Sequence, residues 1–325
     1  MSTVIEPTQN IPTVQESQLR SLVNAMYAEL RNPILRDQLE RALDTLLSSG
    51  VPNLAPILPM LLNLKGKPYT LENHFPFEPF FNSFMSRNTV LKTGRQVSKS
   101  TSLAAQGVVI SNCISHFNTL YVTPLYEMVR RFSNNYVRGF IEQSPVQKLW
   151  TGTDTSSSVL QRSFTNKSNM FFSFAFMDAE RTRGLNCDKV AYDEVQDLDS
   201  SFIPIIRETM SASPWGISQY AGTPKTLDNT IEGLWTRSSM AEWVIRCEAC
   251  NYENVPSLAY DLDDMIGPWH EDISEEIPGV ICAKCRRPIN PRHGMWYHTY
   301  PERVADFAGY HVPQVVMPMH YADPD

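Results

Sequence analysis

Apolar residues recur at helical spacing through the first fifty positions. Leu19, Leu22, Val23, Met26 and Leu30 share one face, Pro33 interrupts them, and Leu39, Leu43, Leu46 and Leu47 form a second face before Gly50. Steps of three and four predict two helices within residues 15–49, broken at the proline and stopped at the glycine. They are expected to form an N-terminal helical subdomain packed on the downstream α/β region, with docking to a partner as the other use. Residues 1–14 are polar, carry two prolines, and are expected to be disordered. Residues 51–64 are apolar but hold three prolines, so an irregular packed segment is predicted. From about residue 75 to 235 the pattern changes. Short apolar runs at 89–91, 118–124, 171–176, 189–192 and 218–222 alternate with helix-like stretches. Such runs predict an α/β fold with a mostly parallel sheet and helices on both faces. Phe171 to Phe176 reads as a buried strand rather than a platform for stacked bases.

Chemistry enters at the end of the first of these runs. Lys92-Thr93-Gly94-Arg95-Gln96-Val97-Ser98-Lys99-Ser100-Thr101 follows Thr89-Val90-Leu91 and opens onto Leu103-Ala104-Ala105. Strand, tight turn, then Lys and a hydroxyl at a helix start is the layout of a phosphate-binding loop, where free N–H groups and the helix dipole favour an anion. The nucleotide-binding candidates are therefore Gly94, Arg95, Gln96, Val97, Ser98, Lys99, Ser100 and Thr101. Lys99 would reach the β- and γ-phosphates of ATP, and Ser100 would bind Mg2+. The general pattern is G-x-x-x-x-G-K-[ST], and Thr93 and Ser98 occupy its glycine positions, which leaves a plain strand–helix junction as the alternative.

About a hundred residues on, Lys189-Val190-Ala191-Tyr192 ends in Asp193-Glu194. Asp193 is the candidate for holding Mg2+ opposite Ser100, and Glu194 for taking a proton from attacking water. Neighbouring side chains on a strand point to opposite faces, so the backbone must turn at the strand end for both acids to serve one site. A solvated acidic turn is the competing reading. Further on, Ser218-Gln219-Tyr220-Ala221-Gly222-Thr223-Pro224 reads as a strand stopped by Gly and Pro with a hydroxyl residue at its end. By itself Gly-Thr-Pro reads as a turn; in motor ATPases a residue placed like Thr223 senses the γ-phosphate and passes the signal on.

These three elements, in this order and spacing, resemble the large terminase subunit of tailed bacteriophages, a P-loop NTPase of the ASCE type that packages viral double-stranded DNA. Arg95, four residues before Lys99, is a mark of that family. So are Asn118-Thr119-Leu120-Tyr121-Val122-Thr123-Pro124 as a second strand, Met177 to Asn186 with Arg183-Gly184 before the Walker B strand, and Gly309 to Pro318 after a zinc insertion. The resemblance spans roughly residues 75–320. It implies an ATPase with Lys99, Glu194 and Arg95 as catalytic residues, Arg95 serving as a finger in cis and Arg181 or Arg183 as candidates in trans. It further implies double-stranded DNA, a portal protein and a small terminase subunit as partners, a homo-oligomeric ring, and a place at the procapsid portal vertex in the host cytoplasm. Nuclease activity is not expected of these 325 residues. Two other readings stay open: a different nucleic-acid translocase of helicase type, and a zinc-ribbon adaptor with a degenerate P-loop.

The net charge of −7 is unusual for a DNA motor, and its distribution resolves the tension. Residues 247–325 hold 13 acidic and 5 basic residues, while residues 1–246 are nearly neutral with 22 and 23. Any DNA-gripping surface must then be local; Arg130, Arg131 and Arg138, or Lys225 with Arg237, are candidates, against a plain solvated face. No run of eighteen apolar residues and no secretory leader pattern occurs, so no membrane role is expected.

Six cysteines remain to be placed. Cys247-Glu248-Ala249-Cys250 and Cys282-Ala283-Lys284-Cys285 give C-x2-C twice, a set that holds structural Zn2+ tetrahedrally. Arg246, Lys284, Arg286 and Arg287 would offset the thiolate charge, and the acidic run Asp261 to Glu276 fills the long gap. Two redox pairs or four incidental thiols are the alternatives. Cys113 and Cys187 read as core residues, and His293, His298, His311 and His320 are assigned to no site. The expected division is 1–74 tail and helical subdomain, 75–240 ATPase core, 241–300 zinc-ribbon insertion, and 301–325 a linker that returns to the ATPase or leads toward a nuclease domain absent from these residues.

Overall fold

Seven parallel strands make up the middle of one large sheet in a computed structural model that describes residues 55, 58–82, 86–152, 157–175, 179–266 and 280–317. The expected tail and helices within 1–49, most of the acidic run, and Phe176, Met177, Pro318 and His320 lie outside the described residues. The strands are β1 (Asn88–Thr93), β2 (Asn118–Thr123), β3 (Ser157–Ser158), β4 (Gln161–Ser163), β5 (Asn169–Phe174), β6 (Lys189–Tyr192), β7 (Ile217–Gly222), β8 (Ala241–Arg246), β9 (Glu253–Asn254), β10 (Met295–His298) and β11 (Phe307–Val312). Their spatial order is β9-β8-β11-β1-β7-β6-β2-β5-β4-β3, with β10 paired to β8. Every pair from β8 to β5 along this order is parallel, and the outer pairs are antiparallel.

Alternation along the strands divides the core into two layers. Leu91, Tyr121 and Ala221 face one apolar cluster; their neighbours Val90, Leu120, Val122 and Tyr220 face the other. The first layer is closed by α1 (Lys99–Cys113), in which 13 of 15 residues are buried. A helix enclosed on all sides has no polar stripe, which is why its sequence lacks amphipathic contrast. On the same side run α2 (Tyr126–Arg131), a π-helical turn at Phe132–Val137, and α3 (Arg138–Gln143). The second layer is closed by α4 (Phe202–Arg207) and α5 (Thr230–Trp235). The expected irregular segment near residue 60 holds a short helix, Leu58–Leu61, buried in the first layer. Phe172 on β5 is buried in that layer as well, and Cys113 and Cys187 are buried in the core. No described helix is long and apolar enough to cross a membrane.

Strand order adds what the chain order conceals. The segments set apart as an insertion and a linker contribute β8, β10 and β11 to the same sheet, so the sheet does not stop at residue 240. β11 lies directly beside β1, pairing Phe307 to Val312 with Asn88 to Thr93. Its sequence mixes small, aromatic and polar residues without alternation. Gly309 is required within it, because a Cβ there would overlap Ser238 Oγ.

Candidate functional site

At its C-terminal end β1 runs into the loop Gly94–Ser98, which delivers the chain to the start of α1. Gly94 donates its N–H to Val312 O of β11 at 2.9 Å, and a Cβ at position 94 would stand 2.9 Å from Gln314 N. Glycine is thus needed for close backbone approach there. The second glycine position of the general pattern is filled differently. Ser98 adopts φ 63°, ψ 24°, the left-handed region, and Gln96 also has positive φ. The serine therefore takes the glycine-like conformation at a cost of about 1–2 kcal/mol. Val97 is buried and anchors the loop, while Arg95 and Gln96 are exposed.

β6 ends one strand away from β1, with β7 between them. Glu194, immediately after Asp193, takes φ 53°, ψ 42°. That left-handed residue supplies the turn that lets two adjacent acids serve one site. Lys99 Nζ, 8% exposed, lies 2.7 Å from Asp193 Oδ1 and 2.8 Å from Glu194 Oε1. Ser100 Oγ donates to Asp193 Oδ2 at 2.9 Å. Burial pushes the Asp193 carboxyl up, and Lys99, Ser100 and Tyr121 more than reverse this, holding it below the ordinary carboxylate value. For Lys99, burial favours the neutral amine, but the two carboxylates outweigh it and raise its pKa. The ion pair is thus charged on both sides despite its enclosure.

Two residues given no role from the sequence complete the cluster. Tyr121 on β2 donates its OH to Asp193 Oδ2 at 2.9 Å while its ring stacks on Phe132, centroids 3.6 Å apart. Gln196, in the turn Val195–Asp197, donates Nε2 to Glu194 Oε2 at 2.6 Å and accepts the Thr223 N–H on Oε1 at 3.1 Å. Thr223 therefore meets the site through its backbone. The ends of β1 and β7 are joined by Thr93 Oγ1 donating to Gly222 O at 3.3 Å. Beside this cluster lies a cleft of about 520 Å3, lined by Gly94 to Thr101, Tyr136, Glu194, Gln196, Asp197, Thr223 and Lys225. Its volume falls in the range of small-molecule sites.

The other basic candidates are dispersed. Lys225 closes one side of the cleft, with Nζ 2.6 Å from Asp197 Oδ1. Arg130 pairs with Glu127 at 2.9 Å, Arg138 with Glu142 at 2.6 Å, and Arg183 with Glu180 at 2.8 Å, all on exposed surface. Arg181 lies over the Phe174 ring at 4.7 Å. Arg237 lines a separate cleft with Arg87 and Arg207 near the N-terminal ends of β1, β7 and β11.

Cys247, Cys250, Cys282 and Cys285 converge. Their sulfurs lie within 4.8 Å of one another, with Cys247–Cys285 at 3.6 Å and Cys250–Cys282 at 3.7 Å. A tetrahedron of thiolates at a Zn–S length of about 2.3 Å has edges of about 3.8 Å, so the donor set fits zinc. Each half is built alike. Asn251 and Arg286, directly after the second cysteine of each pair, have positive φ and donate to the carbonyl of the first, at 2.8 and 2.9 Å. The histidines go elsewhere: His293 to Glu248, His298 to Ser239, His311 to Glu242.

Among known protein families, a model described as phage terminase large subunit gpA, ATPase domain, matches residues 77–299. No curated protein matches the chain. Among solved structures, the chain is similar to a point variant of the large terminase ATPase domain of Thermus phage P74-26, at 15% identity and TM-score 0.44, covering 72% of this chain and 80% of that one. It is similar also to the bacteriophage HK97 large terminase, at 14% identity and TM-score 0.46, covering 56% and 40%. A third likeness is to the large terminase of the thermophilic bacteriophage D6E in complex with ADP, at 10% identity and TM-score 0.36, covering 71% and 68%.

Proposed function

The chain belongs to the ATPase-domain family of the phage terminase large subunit gpA, and from that premise we propose that it is an ATP-hydrolysing motor that moves viral double-stranded DNA into a procapsid. The observation that carries this reading is the meeting of Lys99, Ser100, Asp193 and Glu194 at one cleft. The loop N–H groups and Lys99 bind the β- and γ-phosphates, drawing the ammonium away from Glu194. Ser100 and Asp193 offer the hard oxygen donors suited to Mg2+, whose chemistry there is to neutralise phosphate charge. Glu194, released from Lys99, accepts the proton of the attacking water. Arg95, exposed at the cleft, stabilises developing charge in cis, with Arg181 or Arg183 as candidates to act on a neighbouring copy in a ring. Thr223 couples hydrolysis to movement.

The four cysteines hold a structural Zn2+, since a site with four thiolates has no open position for catalysis. The partners in this reading are duplex DNA, a portal protein and a small terminase subunit, and the assembly works at the portal vertex in the host cytoplasm. Steady-state ATP hydrolysis by the purified protein tests the core of it. Lys99→Ala is expected to lower kcat by about 100-fold or more; undiminished hydrolysis would sink the reading. Metal analysis is expected to find about one zinc per chain, and its absence would remove the zinc assignment.

A further inference from the structure

Gln196 joins the carboxylate of Glu194 to the end of β7. Its Nε2 donates to Glu194 Oε2 at 2.6 Å and to Asp197 Oδ2 at 3.2 Å, while Oε1 accepts from the Thr223 N–H at 3.1 Å. Carboxylates only accept and a backbone N–H only donates, so the span requires a side chain that does both, and these partners fix the amide orientation. The neighbouring backbone is shaped to admit it. Gly222 is the last residue of β7, and a Cβ there would overlap Gln196 Oε1. The two oxygens of Glu194 are divided between partners, Oε1 facing Lys99 and Oε2 facing Gln196. Once a phosphate draws Lys99 away, the amide of Gln196 is the tether that stays on the carboxylate.

We propose that Gln196 is a positioning residue that aims Glu194 for proton transfer and makes the carboxylate and the end of β7 move as one unit. This deepens the function proposed above and rests on it. The mechanical consequence comes from topology. β7 lies between β1 and β6, so a shift of Glu194 is felt at Gly222–Thr223 through the two hydrogen bonds of one side chain, without passing through either strand.

The test is steady-state ATP hydrolysis by Gln196→Ala and Gln196→Glu, with a fluorescent ATP analogue to measure affinity. Gln196→Met, which keeps side-chain length without the amide, replaces the alanine variant if that fails to fold. Removing the amide is expected to lower kcat by about 10–100-fold, as for a misaimed catalytic group, with KM and analogue affinity within about twofold. Gln196→Glu keeps the acceptor for Thr223 but loses the donor to Glu194, so its kcat is expected to fall as in the amide-free variants, with KM and analogue affinity within about twofold. A residue that merely fills the turn would leave kcat at its wild-type value in Gln196→Glu. Wild-type kcat in the amide-free variant or in Gln196→Glu overturns the proposal. If Lys99→Ala abolishes hydrolysis while Gln196→Ala does not, only the role of Gln196 falls; if Lys99→Ala hydrolyses normally, both readings fall.

Discussion

Replacing Lys99 with Met keeps most of the side chain's length and removes its charge from an enclosed site. Asp193, 3% exposed, would retain donors from Ser100, Tyr121 and the Glu194 N–H but lose an ammonium 2.7 Å away. At an effective dielectric of about 20, that separation corresponds to an attraction of about 6 kcal/mol. Met does not incur the desolvation of a buried ammonium, which takes back part of this. The net cost is about 3 kcal/mol, at the lower end of what breaking a buried pair costs, or roughly 6–12 °C in Tm. The pH dependence fixes the cause. In the wild type the folded carboxyl titrates below its unfolded value, so its contribution is full above about pH 4 and disappears as pH falls through the lowered value. In Lys99→Met, burial acts without the ammonium and pushes the carboxyl up. The variant's deficit is therefore greatest near pH 7 and shrinks as pH falls toward 4 and Asp193 takes up a proton. Guanidinium unfolding followed by tryptophan fluorescence at both pH values measures this. Wild-type stability at pH 7, or a deficit that grows on acidification, would refute the reasoning.

Ser98→Gly removes a left-handed cost of about 1–2 kcal/mol and returns about 0.5–1 through the freer unfolded chain, so a stabilisation of about 0.5–1 kcal/mol is expected in the same unfolding assay; a lowered midpoint would contradict it. Lys189, buried at the start of β6 and donating to Gln106 Oε1, is lowered to about 7 by desolvation. The unfolded chain then binds more protons between about pH 7 and 10, so wild-type stability rises with pH across that window. Lys189→Met is expected to flatten this rise and to be the more stable protein at pH 7; an unchanged slope would show that the ammonium is not desolvated.

What the sequence disclosed is what local chemistry encodes. Lys99 and Ser100 after a tight turn, two acids at a strand end, and paired C-x2-C spacings each announce a site within ten residues. Tyr121 and Gln196 give no such signal. Tyr121 joins the site because β2 pairs with β6 in the register Tyr121–Ala191, and Gln196 because β7 passes between β1 and β6. Both depend on strand order, which period-2 patterning does not carry. The same holds for β11, whose residues look like connecting chain until their neighbours are known. Ser98 shows the reverse case: a serine that departs from the motif in identity keeps its backbone conformation.

The position of β11 also has a consequence in time. Asn88 and Phe307 are register partners, so the strand that leads into the loop Gly94–Ser98 has an open flank until more than two hundred further residues have been made. At about 5–20 residues per second, synthesis leaves that flank unpaired for roughly 10–40 s. Gly94 likewise waits for the Val312 carbonyl that receives its N–H. The loop is thus among the earliest parts of the sheet to be made and among the last to be finished, and a nascent chain arrested after the cysteine cluster would present an unpaired strand edge to whatever chaperone or neighbour reached it first.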